Sequence, residues 1–260
     1  MKIVVVTPAG RKRYLNILYS HLKLQKENFK DFEWHLWENS RTTEDEKYIK
    51  SLVDENNWVK LIQRDLGKLK GTNLGITKFW DYTTDIDTIY IRLDDDIVWL
   101  EKNFIKTLAE FRLNNPNYTF VFGNIVNNNI IDHIHQRIGA IKINTPINYA
   151  RMGNSWNSKE LPLEIHKQML QSIKDNNINK WKFSQWVLNL YERVSINALC
   201  WKGGDIDFTK MAGDEEQWVS VEYPKTIQIP NIICGTALCV HAGFVTQRTE
   251  KLEIFVQKYK

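Results

Sequence analysis

The sequence predicts an α/β fold in which a mostly parallel central sheet is flanked by helices. Short apolar runs alternate with segments of helical periodicity over the first half of the 260-residue chain, and this alternation is typical of parallel strands joined by helical crossovers. The first run, Ile3–Val6, consists entirely of β-branched residues, as expected for a strand buried on both faces. The second half is less regular, and we expect it to elaborate the same domain.

The composition indicates a globular protein of ordinary charge. An apolar content of 43% with 10 Trp, 10 Tyr and 11 Phe excludes a disordered chain. A net charge of +4 is too balanced for a dedicated nucleic-acid binder, so we predict no nucleic-acid partner. It leaves open an anionic small substrate or a peripheral contact with a membrane.

The cysteines and the apolar stretches suggest a location. Cys200, Cys234 and Cys239 are odd in number and lack the paired spacing of a zinc site, so we expect reduced thiols in a cytoplasmic protein. We also expect neither a signal peptide nor a transmembrane segment, because no apolar run is long enough.

The elements after the first strand follow from periodicity and turn residues. A helix through Leu15 and Leu22 has basic residues in its first turn, which oppose the helix dipole and indicate either a nearby anion or a solvated face. The next predicted elements are a strand at Phe32–Trp37, a helix that begins at a capping box of Thr43 and Glu46, a strand at Trp58–Gln63, and a helix through Phe79 and Trp80. Glycine and lysine are frequent in the loop 64–75, which suits either a phosphate contact or a solvated loop.

Three consecutive aspartates follow the fourth predicted strand. This strand, Thr88–Leu93, leads directly into Asp94, Asp95 and Asp96, which places them at the edge where open α/β sheets hold ligands. Carboxylates this close repel one another unless a cation lies among them, and magnesium, manganese or calcium suits oxygen ligands better than zinc does. A solvated turn or the entry to a helix near Leu100 remains the structural alternative.

A second acidic cluster lies in the later part of the chain. Asp214, Glu215 and Glu216 open a predicted helix, where the helix dipole alone favours acids. His241 ends the last apolar strand, either as a metal ligand or as a plain loop residue. The other elements predicted beyond residue 100 are helices at Phe104–Phe111, Pro162–Ile173 and Phe183–Tyr191, strands at Tyr118–Ile125, Val194–Trp201 and Thr236–Val240, and a loop at Tyr149–Ser158.

In this order the motifs resemble those of glycosyltransferases of the GT-A fold, and the chain is similar to the large family 2-like group of inverting enzymes that use nucleotide-diphosphate sugars. The resemblance covers most of the chain. It rests on Thr7-Pro8 after the opening strand, Asp94-Asp95-Asp96 at the place of the D-x-D motif, the pair Asp214-Glu215 at the place of the acidic catalytic motif, and His241. The Gln-x-x-Arg-Trp motif of processive synthases is absent, so polymerisation is not implied.

The resemblance implies a Rossmann-like GT-A domain and a set of roles. Residues 1–126 would form the half that binds a UDP- or GDP-sugar donor, and residues 127–260 the half that binds a glycan or glycoconjugate acceptor and carries out catalysis. Glu215 would be the general base, with Asp214 as its rival, and Mn²⁺ or Mg²⁺ would be held by Asp96, His241 and Asp94. The residues implied at the donor are Thr7, Pro8, Glu38, Asn39, Asp65, Lys68, Asp94 and Asp95.

Tryptophan side chains are candidates for the acceptor, because aromatic faces stack on sugars. Trp156, Trp201 and Trp218 lie in the second half, and each is also suited to the core.

The sequence leaves two other functions open. A sugar-phosphate nucleotidyltransferase would require a glycine-rich basic loop directly after the first strand, which Thr7-Pro8-Ala9-Gly10-Arg11 matches faintly. The second open function is that of a non-catalytic module that binds nucleotides or sugars.

Overall fold

The computed structural model describes residues 1–260 and contains one nine-stranded sheet flanked by helices. The strands are β1 (Lys2–Ala9), β2 (Phe32–Glu38), β3 (Val59–Ile62), β4 (Thr88–Leu93), β5 (Ile97–Leu100), β6 (Val121–Val126), β7 (Gln185–Val187), β8 (Ala198–Lys202) and β9 (Ile232–His241). The helices are α1 (Lys12–Lys26), α2 (Thr43–Glu55), α3 (Asn73–Ile76), α4 (Phe104–Asn114), α5 (Asn129–Arg137), α6 (Asn154–Asn157), α7 (Leu161–Lys174), α8 (Glu215–Gln217), α9 (Tyr223–Ile227) and α10 (Glu250–Val256).

The strand order is β3-β2-β1-β4-β8-β6-β9-β5, and β7 pairs with β9 beside β5. Strands β1 to β4 run parallel to one another, and so do β6 and β9. Strand β8 lies antiparallel between β4 and β6, while β5 and β7 lie antiparallel to β9. Six strands therefore run in one direction and three in the other, which confirms the prediction of a mostly parallel sheet between helices.

The buried β-branched run of β1 sets the centre of the first half. Val5 pairs with Trp34 of β2 on one side and with Ile91 of β4 on the other. All three side chains are fully buried in a continuous core of 52 residues that draws on both halves of the chain. This packing fixes the carboxyl ends of β1, β2 and β4 next to one another.

Two local predictions are wrong, for different reasons. The segment Phe183–Tyr191 is not a helix, because Trp186 of β7 pairs with Ile233 of β9 and the ladder overrides the helical periodicity. Helix α2 is capped one residue earlier than predicted, since the side chain of Thr42, rather than Thr43, accepts a hydrogen bond from the amide of Asp45. The sequence analysis also missed β5, α5 and α10.

The segment predicted as a loop at Tyr149–Ser158 contains the short helix α6 and is otherwise irregular. None of the helices is both long enough and apolar enough to cross a lipid bilayer.

Candidate active site

A cleft of about 860 Å³ opens at the carboxyl ends of β1, β2 and β4. Its wall includes Pro8 near the end of β1, Gly10 directly after β1, Asn39 after β2, and Asp94 after β4. Side chains from the later part of the chain close the other side, with Glu215 among them. The cleft therefore lies at the edge of the sheet at which open α/β proteins bind their ligands.

Arginine and carboxylate side chains dominate the lining, so we call this site the arginine cleft. The arginines are Arg11, Arg41, Arg92, Arg151, Arg193 and Arg248. The carboxylates are Asp94, Asp95, Asp214, Glu215 and Glu216. Guanidinium groups bind phosphates and carboxylates with two parallel hydrogen bonds, and the partly exposed side chains of Arg11, Arg193 and Arg248 are able to contact an anionic ligand.

Asp95 fastens the loop after β1 to the end of β4. The side chain is 4% exposed, and one of its oxygens accepts a hydrogen bond from the amide of Gly10 at 3.2 Å. The Nε of Arg11 lies 3.1 Å from both carboxylate oxygens, and Nη2 of Arg11 contacts Oδ1 as well. Asp95 thus lines the cleft, and its oxygens are engaged by protein donors.

Asp96 lies deeper and is surrounded by cationic groups. Its Oδ2 lies 3.0 Å from Nη2 of Arg248, 3.1 Å from Nη2 of Arg11 and 3.4 Å from Nε2 of His241. Burial alone would raise the pKa of Asp96, but these three neighbours hold it well below its usual range. Conversely, burial would lower the pKa of His241, and the charge of Asp96 raises it.

Asp96 and His241 offer two suitable ligands for a divalent cation. Nδ1 of His241 lies 3.1 Å from the carbonyl oxygen of Asn127, and such a contact orients the ring and, in the neutral imidazole, leaves Nε2 free for a metal. Asp94, the third predicted ligand, points elsewhere, because its carboxylate pairs with Arg92 at 2.9 Å and accepts from Asn197 at 3.0 Å. No group of three such side chains is close enough together to hold a metal by itself.

Glu215 and Asp94 are joined through one buried arginine. Nη2 of Arg92 lies 3.0 Å from Oε1 of Glu215 and 2.9 Å from Oδ1 of Asp94, and Nη1 donates to the carbonyl of Ile196 at 2.8 Å. Trp80 donates from Nε1 to the second oxygen of Glu215 at 2.8 Å. Burial raises the pKa of Glu215, with the charge of Arg92 and the hydrogen bond from Trp80 acting against it.

Asp214, the rival base, serves as the cap of α8. Its carboxylate accepts from the amide of Gln217 at 3.1 Å and pairs with Arg193 at 2.6 Å. Partial burial would raise the pKa of Asp214, but the hydrogen bond from Arg193 lowers it. Because the pKa of Asp214 is lowered while that of Glu215 is raised, Asp214 is the poorer proton acceptor of the two.

Glu216 links two of the other arginines. Its Oε1 lies 2.9 Å from Nε of Arg193 and 3.1 Å from Nη1 of Arg151. Asp214 and Glu216 therefore share Arg193, whereas Glu215 between them points to Arg92 and Trp80.

Of the eight residues predicted at the donor, four line the cleft, including Asp94 and Asp95, and four do not. Pro8 and Asn39 line the cleft, and Asn39 also holds the following loop through a hydrogen bond to the carbonyl of Thr72 at 3.1 Å. Thr7 is fully buried and accepts from Trp34 at 2.9 Å, so its hydroxyl serves the sheet. The other three lie outside the cleft lining: Glu38 pairs with Lys70 at 3.3 Å, and Asp65 and Lys68 are exposed.

Of the three predicted tryptophans, only Trp156 reaches the cleft. Its ring stacks on Phe244 with centroids 4.1 Å apart, and it lines the open side. Trp201 is fully buried against Tyr90, so the expectation that it contacts an acceptor is corrected to a role in the core. Trp218 is 6% exposed and stacks on Tyr223 outside the cleft lining, which corrects it in the same way.

Sequence reasoning missed the arginines that hold these acids. The clearest signal was Arg92, a charged residue inside the otherwise apolar run Thr88–Leu93, because a buried charge requires a partner. Asn197, Arg151 and Arg193 gave no such signal, since each stands in an ordinary polar segment and reaches the cleft only through the fold.

No protein-family model matches the chain, and no curated protein matches it in sequence. Among solved structures, it is similar to 4-diphosphocytidyl-2C-methyl-D-erythritol synthase from Anaerococcus prevotii, with 12% identity, a TM-score of 0.46, and coverage of 100% of this chain and 97% of the other. It is similar to CMP:2-keto-3-deoxy-manno-octonic acid synthetase, solved with CTP, with 11% identity, a TM-score of 0.49 and complete coverage of both chains. It is also similar to the galactosyltransferase LgtC, solved with donor and acceptor sugar analogues, with 10% identity, a TM-score of 0.43, and coverage of 88% of this chain and 65% of the other. Likenesses this distant assign no activity.

Proposed function

We propose that this protein is a glycosyltransferase that moves a sugar from a nucleotide-diphosphate sugar to a hydroxyl acceptor with inversion at the anomeric carbon. The observation that carries the proposal is the buried carboxylate of Glu215, which faces a cleft lined by six arginines. The cleft supplies cations for a diphosphate, and Glu215 supplies a base for a hydroxyl.

The proposed role of the arginines is to stabilise the nucleotide diphosphate as it leaves. A nucleotide diphosphate departs readily only if the negative charge that develops on it is stabilised. Arg11 and Arg248 have side chains that are 28% and 26% exposed and meet at the same oxygen of Asp96. They are therefore near the surface of the cleft and able to form additional hydrogen bonds to phosphate oxygens.

The proposed role of Glu215 is to accept the proton of the acceptor hydroxyl as it attacks. A hydroxyl is a weak nucleophile and must lose its proton as its oxygen bonds to the anomeric carbon. In the proposed step that proton passes to Glu215, the bond between the anomeric carbon and the diphosphate oxygen breaks, and the nucleotide diphosphate leaves with the electron pair. The raised pKa makes Glu215 a stronger base than an exposed glutamate, while Arg92 favours its ionised form.

Asp96 and His241 are the residues that would hold Mn²⁺ or Mg²⁺, because they pair a carboxylate with an oriented imidazole. Such a cation, when bound, neutralises charge on the diphosphate. Arg11 and Arg248 already neutralise Asp96 in this structure, so the cation and these two guanidinium groups compete for one carboxylate.

A sugar-phosphate nucleotidyltransferase is the second candidate, because Gly10 and Arg11 follow β1 directly and line the same cleft. Against it, the amide of Gly10, which a glycine-rich phosphate loop would offer to its substrate, is already bound to Asp95. The two reactions release different products. A nucleotidyltransferase releases pyrophosphate from a nucleoside triphosphate and a sugar phosphate, whereas the proposed enzyme releases a nucleoside diphosphate from a nucleotide sugar.

The experiment is a product assay with a panel of UDP- and GDP-sugars, with and without manganese, in the presence of simple sugar acceptors. We expect nucleoside diphosphate to be released, at a rate that the Glu215→Gln variant lowers strongly. Glu222→Gln is the matched control, since Glu222 lies in the same helical segment and is exposed. Release of pyrophosphate from nucleoside triphosphates would favour the second candidate, and binding without turnover would favour a non-catalytic module.

A further inference from the structure

A second, smaller pocket lies beside the arginine cleft and has a different chemistry. It has a volume of about 290 Å³. Its lining combines aromatic faces with uncharged and charged polar groups, contributed by His133, Arg137, Tyr149, Trp186, Asn189 and Glu192. We call it the Trp186 pocket.

The aromatic side of the pocket is braced. Trp186 donates from Nε1 to the hydroxyl of Tyr149 at 3.1 Å, and that hydroxyl donates to Glu192 at 3.1 Å. Asn189 donates to the same carboxylate from its amide at 2.8 Å and from Nδ2 at 2.9 Å. The rings of Trp186 and Tyr149 are thus fixed by hydrogen bonds to their polar ends, while each ring remains partly exposed.

Other polar groups of the pocket have free positions. Nδ1 of His133 lies 2.6 Å from the carbonyl oxygen of Ile147, so in the neutral ring the proton is on Nδ1 and Nε2 is an acceptor. The side chain of Arg137 is exposed and forms no hydrogen bond or ion pair within the protein. A rigid aromatic face with an acceptor and donors around it is the chemistry that a pyranose ring requires, because its C–H face stacks and its hydroxyls form hydrogen bonds.

The same two segments of chain form the walls of both cavities. Tyr149 lines the Trp186 pocket and Arg151 lines the arginine cleft, and two residues of chain span at most about 7 Å. Likewise, Glu192 lines the Trp186 pocket and its neighbour Arg193 lines the arginine cleft. Arg151 and Arg193 both bind Glu216, at 3.1 and 2.9 Å, so these two arginines form a wall on the side of the arginine cleft.

We infer that the Trp186 pocket binds the second sugar residue of a glycan acceptor whose terminal residue reacts in the arginine cleft. This inference rests on the proposed function, and it adds that the preferred acceptor has at least two sugar residues. The linkage between the residues would pass over the wall formed by Arg151 and Arg193.

Binding is testable without turnover by fluorine NMR. The protein is labelled with 5-fluorotryptophan, and the signal of Trp186 among the 10 tryptophans is identified by its loss in Trp186→Phe. The probes are lactose, cellobiose, maltose and diacetylchitobiose, each beside its component monosaccharides. We expect at least one disaccharide to shift the Trp186 signal at millimolar concentration, at lower concentration than its component monosaccharides.

Substitutions of Trp186 then test whether the pocket binds the disaccharide. Trp186→Ala should weaken binding of that disaccharide by roughly threefold to tenfold, with Trp186→Phe in between, because the aromatic face is lost or reduced. Tyr191→Ala is the control, since Tyr191 lies nearby in sequence, is 71% exposed and lines neither cavity. If Trp186→Ala does not fold, the affinity of Trp186→Phe for the disaccharide is compared with that of the wild type instead.

The outcomes separate this inference from the proposed function. A Trp186 signal that no disaccharide shifts, or that monosaccharides shift equally well, overturns the inference even if nucleotide sugars are turned over. A signal that shifts selectively with a disaccharide, in a protein that transfers no sugar, supports the pocket as a glycan site and counts against the proposed reaction. Where transfer is found, kcat/KM should fall in Trp186→Ala for the disaccharide acceptor and stay unchanged for its terminal monosaccharide.

Discussion

Arg92 and Glu215 form a buried ion pair, with Nη2 and Oε1 3.0 Å apart and the two side chains 3% and 9% exposed. The same guanidinium also binds Asp94 at 2.9 Å. It therefore connects the end of β4 to the helix that carries the proposed base, and both carboxylates depend on it for charge compensation. Buried pairs of this kind contribute little net stability but cost much to break.

Arg92→Met should destabilise the protein by about 3–5 kcal/mol, because it leaves Glu215 charged and buried without its cation. Arg64→Met is the matched control: Arg64 pairs with Asp81 at 2.7 Å with side chains 31% and 50% exposed, and such pairs contribute about 1 kcal/mol or less. Urea denaturation followed by circular dichroism measures both. Equal losses in the two variants would contradict the assigned role of Arg92.

Glu215→Gln should lower turnover by about a hundredfold to ten-thousandfold, since general-base catalysis contributes about that much, and should leave donor affinity nearly unchanged. Asp214→Asn should instead keep most activity, because Asp214 caps α8 and asparagine caps about as well as aspartate. Steady-state kinetics and calorimetric titration of the nucleotide separate the two effects. An inactive Asp214→Asn enzyme beside a fully active Glu215→Gln enzyme would reverse the assignment, and proton NMR showing a retained anomer would refute inversion.

Asp96→Asn should remove most of the manganese-dependent part of UDP or GDP binding and leave a weaker metal-independent part that depends on the arginines. His241→Ala should do the same, because Nε2 of His241 faces Asp96 at 3.4 Å. Calorimetric titration with and without manganese measures both parts, and Asp65→Asn is the control because Asp65 is exposed and outside the cleft lining. Undiminished metal-dependent affinity in both variants would exclude Asp96 and His241 as ligands.

His166 should make the protein less stable in mild acid. It is fully buried in α7, where Nε2 donates to the carbonyl of Ala242 at 2.9 Å and Nδ1 accepts from the hydroxyl of Tyr259 at 3.0 Å. Burial lowers the pKa of His166 from 6.5 to about 4. The unfolded chain therefore binds a proton over this range that the folded protein does not, so stability present above pH 6.5 is lost as the pH falls toward 4, at up to about 1.4 kcal/mol per pH unit.

The His166→Gln variant tests this directly, because glutamine offers a donor and an acceptor but does not titrate. Its free energy of unfolding should fall less than that of the wild type between pH 6.5 and pH 4.5. Lys167→Gln, at the exposed neighbouring position, should follow the wild type. Parallel curves for the wild type and His166→Gln would show that His166 does not contribute.

Local sequence located the fully buried strands β4 and β6 and the almost fully buried β1, although β1 extends three residues beyond the predicted Ile3–Val6. Thr88–Leu93 forms β4 with the expected bounds, because both faces of that strand are buried and the run ends at charged residues. The segment Phe183–Tyr191 could not be predicted in this way, since β7 exists only through its pairing with β9. Propensity is overridden by tertiary pairing at such an edge.

The acids of the cleft were predictable from the sequence, and their partners were not. Asp94, Asp95, Asp96 and Glu215 stand out as clusters at the ends of elements, but the contact between Arg248 and Asp96 joins residues 152 positions apart. Nothing in a local window indicates such a pair. The arginine-rich character of the cleft is therefore a property of the fold.

The position of β8 has a consequence for how the chain folds. Because β8 lies between β4 and β6 and pairs with both, those two strands cannot complete their hydrogen bonding until residue 202 has been synthesised. A fragment that ends at residue 126 would leave β4 without a partner on one edge and β6 without a partner on either edge, and unpaired strand edges promote aggregation. Contacts between residues so distant in sequence also slow folding, so the first half of the chain can complete its part of the sheet only after β8 has been synthesised.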